Sequence, residues 1–183
     1  MKELSLNILD VAKNSVRAGA TKISISIETD INGLLTLTIT DNGCGMDAET
    51  LERVTDPFYT TRKTRGVGLG LPLLKLAAEQ TGGCLKLSSS VEQGKSGTVL
   101  EAQFDTKSID CMPMGDIVST VCILIAGSPD ISFEFIDTTP SGTVELYTDQ
   151  LKEILGDISL AEPEIQVWMT EYLNDQYLNR KNM

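Results

Sequence analysis

Two glycine-punctuated stretches constrain this chain most: Asp41-Asn42-Gly43-Cys44-Gly45-Met46 and Gly66-Val67-Gly68-Leu69-Gly70-Leu71. Glycine repeated at alternate positions gives up side-chain packing, and inside a helix or strand it costs about 0.5–1 kcal/mol relative to alanine. Both stretches therefore read as turns rather than as element interiors. What glycine offers there is freedom of φ and a backbone N–H that can come close to a phosphate. A basic, hydroxyl-rich segment, Thr60-Thr61-Arg62-Lys63-Thr64-Arg65, lies between the two turns and can supply countercharge. An acid, Asp41, leads the first turn. This grouping fits a nucleotide site.

The elements on either side agree. Leu4, Ile8, Val11, Ala12 and Ser15 recur at the spacing of a buried helical stripe, which predicts a helix over 4–18. A second stripe of that helix collects Asn7, Asp10, Asn14 and Arg17, so an acid, two amides and a cation share one edge. Residues 22–29 and 35–40 alternate as strands around Asp30-Ile31-Asn32-Gly33, an antiparallel hairpin that delivers Asp41 straight into the first glycine turn. A short helix is expected over 48–55. A second follows over 71–80, with Pro72 in its first turn and Gly82-Gly83 at its end, before strands over 84–90 and 98–104. The expected fold class is a two-layer α/β sandwich with a mixed, mostly antiparallel sheet.

The pattern breaks near 105–111, where a domain boundary is placed: 1–106 for the glycine-turn domain and 107–183 for a small acidic α/β domain. Residues 1–106 hold 11 Lys/Arg against 13 Asp/Glu and residues 107–183 hold 4 against 13, so most of the net charge of −11 falls in the second part. That acidity disfavours nucleic acid and anionic membranes; it fits a protein partner for 107–183 or a solvated acidic surface. The run 117–126 is continuously apolar, its length favouring a buried helix and its β-branched content leaving a strand open. Residues 131–137 and 143–148 read as a hairpin, 149–155 as a short helix, and a final helix from about Pro163 carries Ile165, Trp168, Met169, Tyr172 and Leu173 on one face. Those apolar faces need a partner, either the first domain or a second chain, so a homodimer is one of the two expected ways to cover them.

No apolar run approaches the roughly 18 residues of a membrane span, and the N-terminus lacks a signal core, so a cytoplasmic location is expected. The four cysteines lack CxxC spacing, which indicates neither a zinc site nor a disulfide framework. The 183 residues contain no histidine, so no mechanism can draw an imidazole from them.

Four motifs in order, Asp10-Val11-Ala12-Lys13-Asn14, the DxGxG box of 41–45, Asp56-Pro57-Phe58 with Tyr59-Thr60-Thr61, and the GxGxG box of 66–70, resemble the nucleotide domain shared by gyrases, heat-shock chaperones, histidine kinases and mismatch-repair ATPases, the GHKL or Bergerat fold. The resemblance covers residues 1 to about 106, and 56–73 look particularly like a histidine-kinase catalytic domain. It implies ATP and Mg²⁺ as cofactors. Asp41 would accept from the adenine amino group, with Gly43, Gly45 and Met46 wrapping the base; Asn14 would ligate Mg²⁺ and Arg17 reach the phosphates. Gly66, Gly68 and Gly70 would receive the phosphate tail, with Val67, Leu69 and Leu71 beside it. Phe58, Thr60, Thr61 and Lys63 would belong to a segment closing over the nucleotide, as would Arg65. Thr98 would assist Asp41 through its hydroxyl.

Two departures shape the functional expectation. Hydrolytic members carry Glu four residues before the metal-ligating Asn, and here that acid is Asp10, one methylene shorter, which weakens the reach of a general base. With no histidine to phosphorylate, this chain is not expected to phosphorylate itself as histidine kinases do. The expected function is a Mg²⁺-ATP-binding module acting in trans, by phosphoryl transfer to a partner's His or Ser/Thr or by slow hydrolysis. The alternative is a non-catalytic module whose affinity for a protein is gated by ATP.

Overall fold

A computed structural model describes residues 3–56 and 70–182. Along the chain lie α1 (Leu4–Arg17), β1 (Lys22–Thr29), β2 (Leu34–Asp41), α2 (Ala48–Arg53), α3 (Gly70–Gln80), β3 (Leu85–Ser90), β4 (Gly97–Asp105), α4 (Ile117–Gly127), β5 (Ser132–Thr139), β6 (Gly142–Tyr147), α5 (Thr148–Leu155) and α6 (Pro163–Lys181). The strands form a six-stranded sheet in the order β3-β4-β2-β1-β5-β6. Neighbours run antiparallel except β1 and β5, which are parallel. That parallel pairing needs a crossover, and the stretch from β4 through α4 provides it.

One face of the sheet is apolar and the other polar, as alternation dictates. Ile25 pairs with Ile39 in β2 and with Phe135 in β5, while Ile39 pairs with Leu100 in β4, and all four are buried. Residues of α1, α3, α4 and α6 join them in one hydrophobic core, so the architecture is the expected two-layer sandwich with a mixed sheet. At the margin of this apolar face, Asp41 stands between its register partners Ile23 and Thr98. The pleat thus aims the Asp41 side chain toward the helical layer rather than toward the polar face.

The stretch placed apart as residues 107–183 continues this sheet. Its strand β5 pairs with β1 over Lys22–Ser132 to Glu28–Thr138. Its segment 113–114 caps α1, whose Leu4 and Ser5 N–H groups donate to the carbonyls of Pro113 and Met114 at 2.9 and 2.8 Å. These are N–H groups that a helix leaves without an intrahelical partner. The run 117–126 resolves as helix α4, begun by an Asp116 cap that accepts from Ser119 N–H at 2.9 Å.

Two details differ from the sequence reading. Asn7, placed on the polar edge of α1, is buried, its Nδ2 donating to the Glu3 carbonyl and to Met112 Sδ, each at 3.3 Å. The segment that caps α1 also covers that edge. On α6 only Met169 and Leu173 are buried; Trp168 and Tyr172 stack at 5.0 Å on the exposed side. Among the described residues no helix is long and apolar enough to cross a membrane.

Candidate functional site

A cavity of about 730 Å³ opens between α1, the C-terminal end of β2, the glycine turn of 43–46, α2, the start of α3 and the β3–β4 pair. Ile39, Met46, Leu71, Leu87 and Leu100 give it apolar walls, and Asp10, Asn14, Arg17 and Asp41 bring polar groups from one side. This mixture suits a ligand with a flat apolar part and a charged part.

Both oxygens of Asp41 are held. Ser15 Oγ donates to Oδ2 at 2.6 Å, and the Gly43 N–H donates to Oδ1 at 2.9 Å. The turn carrying Gly43 is pinned at three points. Asn42 Oδ1 accepts from the N–H groups of Thr21 and Lys22 at 2.9 and 2.8 Å; the Cys44 N–H donates to the Ala18 carbonyl at 2.9 Å; and the Met46 N–H donates to Ser89 Oγ at 2.8 Å. Glycine is required at 45, where φ is +71° and a Cβ would run into the carbonyl of Ser90. Backbone closeness also excludes a side chain at Gly97, whose Cβ would meet the carbonyl of Asp41.

The polar edge of α1 faces the same space. Arg17 Nη2 donates to Asn14 Oδ1 across one helical turn. Asp10 lies beside the first turn of α3, its Oδ2 so close to Gly70 that any side chain there would collide with it. Gly70 and Leu71 thus line the cavity, while Phe58, Thr60, Thr61, Lys63, Gly66, Val67, Gly68 and Leu69 lie outside the described residues. Thr98 lines the cavity opposite Asp41, but its hydroxyl lies 2.9 Å from Ser89 Oγ. Ser15, absent from the sequence-derived set, makes the hydroxyl contact with Asp41 that was expected of Thr98. The available signal was a hydroxyl on the apolar stripe of α1, since a buried hydroxyl needs a partner.

The donor set accommodates a hard cation in one way. Asn14 Oδ1 is an oxygen ligand of the type that Mg²⁺ prefers, and the described residues hold no cluster of three or more acidic or cysteine side chains able to bind a metal by themselves. A Mg²⁺ at Asn14 would therefore take most of its ligands from water and from a bound ligand's oxygens, in place of the Arg17 guanidinium.

The family of histidine kinase-, DNA gyrase B-, and HSP90-like ATPases matches residues 2–108, more than half of the chain. This chain belongs to that family. A putative sensor protein of Shewanella frigidimarina is 35% identical over 96 residues, which are 51% of this chain and 15% of that protein. The sensor histidine kinase CpxA of Escherichia coli (strain K12) is 34% identical over 86 residues, 44% of this chain and 19% of that one. The chain thus spans under a fifth of the length of these relatives. Among solved structures, the Aquifex aeolicus MutL ATPase domain complexed with ADP shares the fold at a TM-score of 0.53 and 16% identity, over 84% of this chain and 69% of that domain. The N-terminal domain of a DNA repair protein does so at 0.56 and 16%, over 80% and 52%. Because the family match covers little more than half of the chain, fold matches of this extent take in much of 107–183 as well.

Proposed function

We propose that the cavity binds ATP together with Mg²⁺ and that the chain acts in trans in a signalling or regulatory system. The observation that carries this reading is the placement of Asp41: a carboxylate fixed through both oxygens, at the margin of the core and lining a cavity with apolar walls. An adenine ring fits between such walls, and its exocyclic amino group would donate to Asp41. Asn14 would hold Mg²⁺, Arg17 would turn from Asn14 to the phosphates, and Gly70, beginning α3, would offer them N–H groups and the positive end of the helix dipole. Lys63 and the glycines of 66–68 are assigned to the phosphates on the sequence alone.

Bound ATP supplies a transferable γ-phosphoryl group. Asp10 is the acid on this edge that could take a proton from an attacking water or hydroxyl, and its short side chain favours slow hydrolysis. Since the 183 residues hold no histidine, a histidine acceptor would lie outside them. The acidic surface of 107–183 is the part best suited to a protein partner, and a cytoplasmic site of action fits such a role. A second reading, an ATP-gated binding module without turnover, is favoured by the same short Asp10.

Incubation with ATP labelled at the γ-phosphate, alone and with cell extract, tests the proposal. Label on another protein supports transfer, and slow release of free phosphate supports hydrolysis. Binding without movement of label supports the second reading, and no retention of ATP at all overturns both.

A further inference from the structure

Ser15 is 4% exposed, on the core-facing stripe of α1 among apolar neighbours. Its hydroxyl is nevertheless satisfied, donating to Asp41 Oδ2 at 2.6 Å, a length typical of an O–H donor on a carboxylate. The Gly43 N–H holds the other oxygen at 2.9 Å. Two donors on two different oxygens fix the rotation of the carboxylate about its Cβ–Cγ bond, and each oxygen keeps a lone pair for a ligand. Gly43 alone would leave that rotation loose, because the third group at hand, Thr98, has its hydroxyl engaged with Ser89.

We propose that Ser15 is a positioning residue for base selection. By fixing the plane of the Asp41 carboxylate, it presents an acceptor lone pair that receives the amino group of a 6-aminopurine and repels the oxygen of a 6-oxopurine. A site built around a hydrogen bond rejects the analogue that cannot make it, because its own polar group is then left unpaired. Ser15 acts through Asp41 and need not touch the nucleotide. The inference rests on the reading of the cavity as an adenine-nucleotide site.

Calorimetric titration with ATP and with inosine triphosphate, on wild type, Ser15→Ala and Asp41→Asn, tests it. Wild type should prefer ATP. Ser15→Ala should lower ATP affinity about tenfold, the scale of one lost hydrogen bond to a charged group, and leave affinity for inosine triphosphate unchanged. Asp41→Asn should remove the preference. Equal losses for both nucleotides in Ser15→Ala would mean a merely structural role and overturn the proposal, as would ATP affinity equal to that of wild type. If Asp41→Asn loses the preference while Ser15→Ala keeps it, only the role of Ser15 fails. If wild type itself does not distinguish the nucleotides, the adenine reading fails, and the role of Ser15 with it.

Discussion

Replacing Arg180 with methionine tests whether α6 is locked onto the sheet through a buried ion pair. Arg180, on α6, reaches Asp137 of β5 with Nη1 on Oδ1 at 2.9 Å and Nη2 on Oδ2 at 3.3 Å, and Nη1 also donates to the Asp137 carbonyl at 3.0 Å. Tyr177 Oη donates to Oδ2 at 2.6 Å, and the guanidinium sits 4.7 Å from the centre of the Tyr177 ring. Side-chain exposure is 15% for Arg180 and 7% for Asp137, so solvent screens the pair little. Removing the cation leaves a buried carboxylate with one side-chain donor, at a cost of about 3–5 kcal/mol. That is a large part of the roughly 5–15 kcal/mol by which proteins of this kind are stable. At about 2–4 °C per kcal/mol for a chain of this length, Tm should fall by about 6–20 °C. Melts followed by circular dichroism and urea unfolding give the two numbers. Adding Asp137→Asn to Arg180→Met should recover much of the loss, because no buried charge is then left unpaired. A loss below about 1 kcal/mol, the worth of a surface ion pair, would refute the reasoning and with it the locking of α6 onto the sheet.

Tyr177 gives a pH test. Burial first, then the charge of Asp137 and the hydrogen bond to it, push its hydroxyl well above the ordinary tyrosine value. The unfolded chain then loses this proton near pH 10 while the folded chain keeps it. The unfolded state thus binds fewer protons, and stability must fall as pH rises past about 10. Melts from pH 9 to 11 should show a smaller loss in Tyr177→Phe than in wild type; equal losses would contradict the assignment. Gly45→Ala should weaken ATP binding by at least about tenfold, since strain of about 1–3 kcal/mol joins the collision with Ser90. Gly94→Ala, at a φ of +82° with open space around it, should leave ATP affinity as in wild type. Asn14→Ala should keep metal-free ATP binding and lose the gain from Mg²⁺ in paired titrations; an undiminished gain would show that Asn14 holds no metal.

Much of the fold was legible because it rests on periodicity. The stripe of α1, the alternation of β1 and β2, and the proline and glycines that bound α3 are local signals. Partnership between strands is not local. Nothing in the alternation of Phe133 and Phe135 says that β5 lies parallel to β1, so 107–183 read as a separate domain where the structure shows a continued sheet. The change of charge at the boundary was real, but it marks a surface and not a break in the core. Asn7 was misread for a related reason, since the segment covering it arrives from residue 112. At the site, the sequence motifs gave Asp41, Asn14, Asp10 and Gly45, which the structure brings to one cavity, and Gly43, whose N–H holds the Asp41 carboxylate. They missed Ser15, which resembles helix filler until the strand acid that it faces is known, and they assigned its contact to Thr98.

The central claim, that Asp41 is the base-recognising acceptor of an ATP site, is tested most directly by titrating wild type and Asp41→Ala with Mg²⁺-ATP in a calorimeter, with a melt of each protein as the check on folding. A charge-assisted hydrogen bond is worth about 1.5–3 kcal/mol. The variant should therefore bind about ten- to a hundredfold more weakly while still melting cooperatively. Equal affinity in the two proteins would contradict the account.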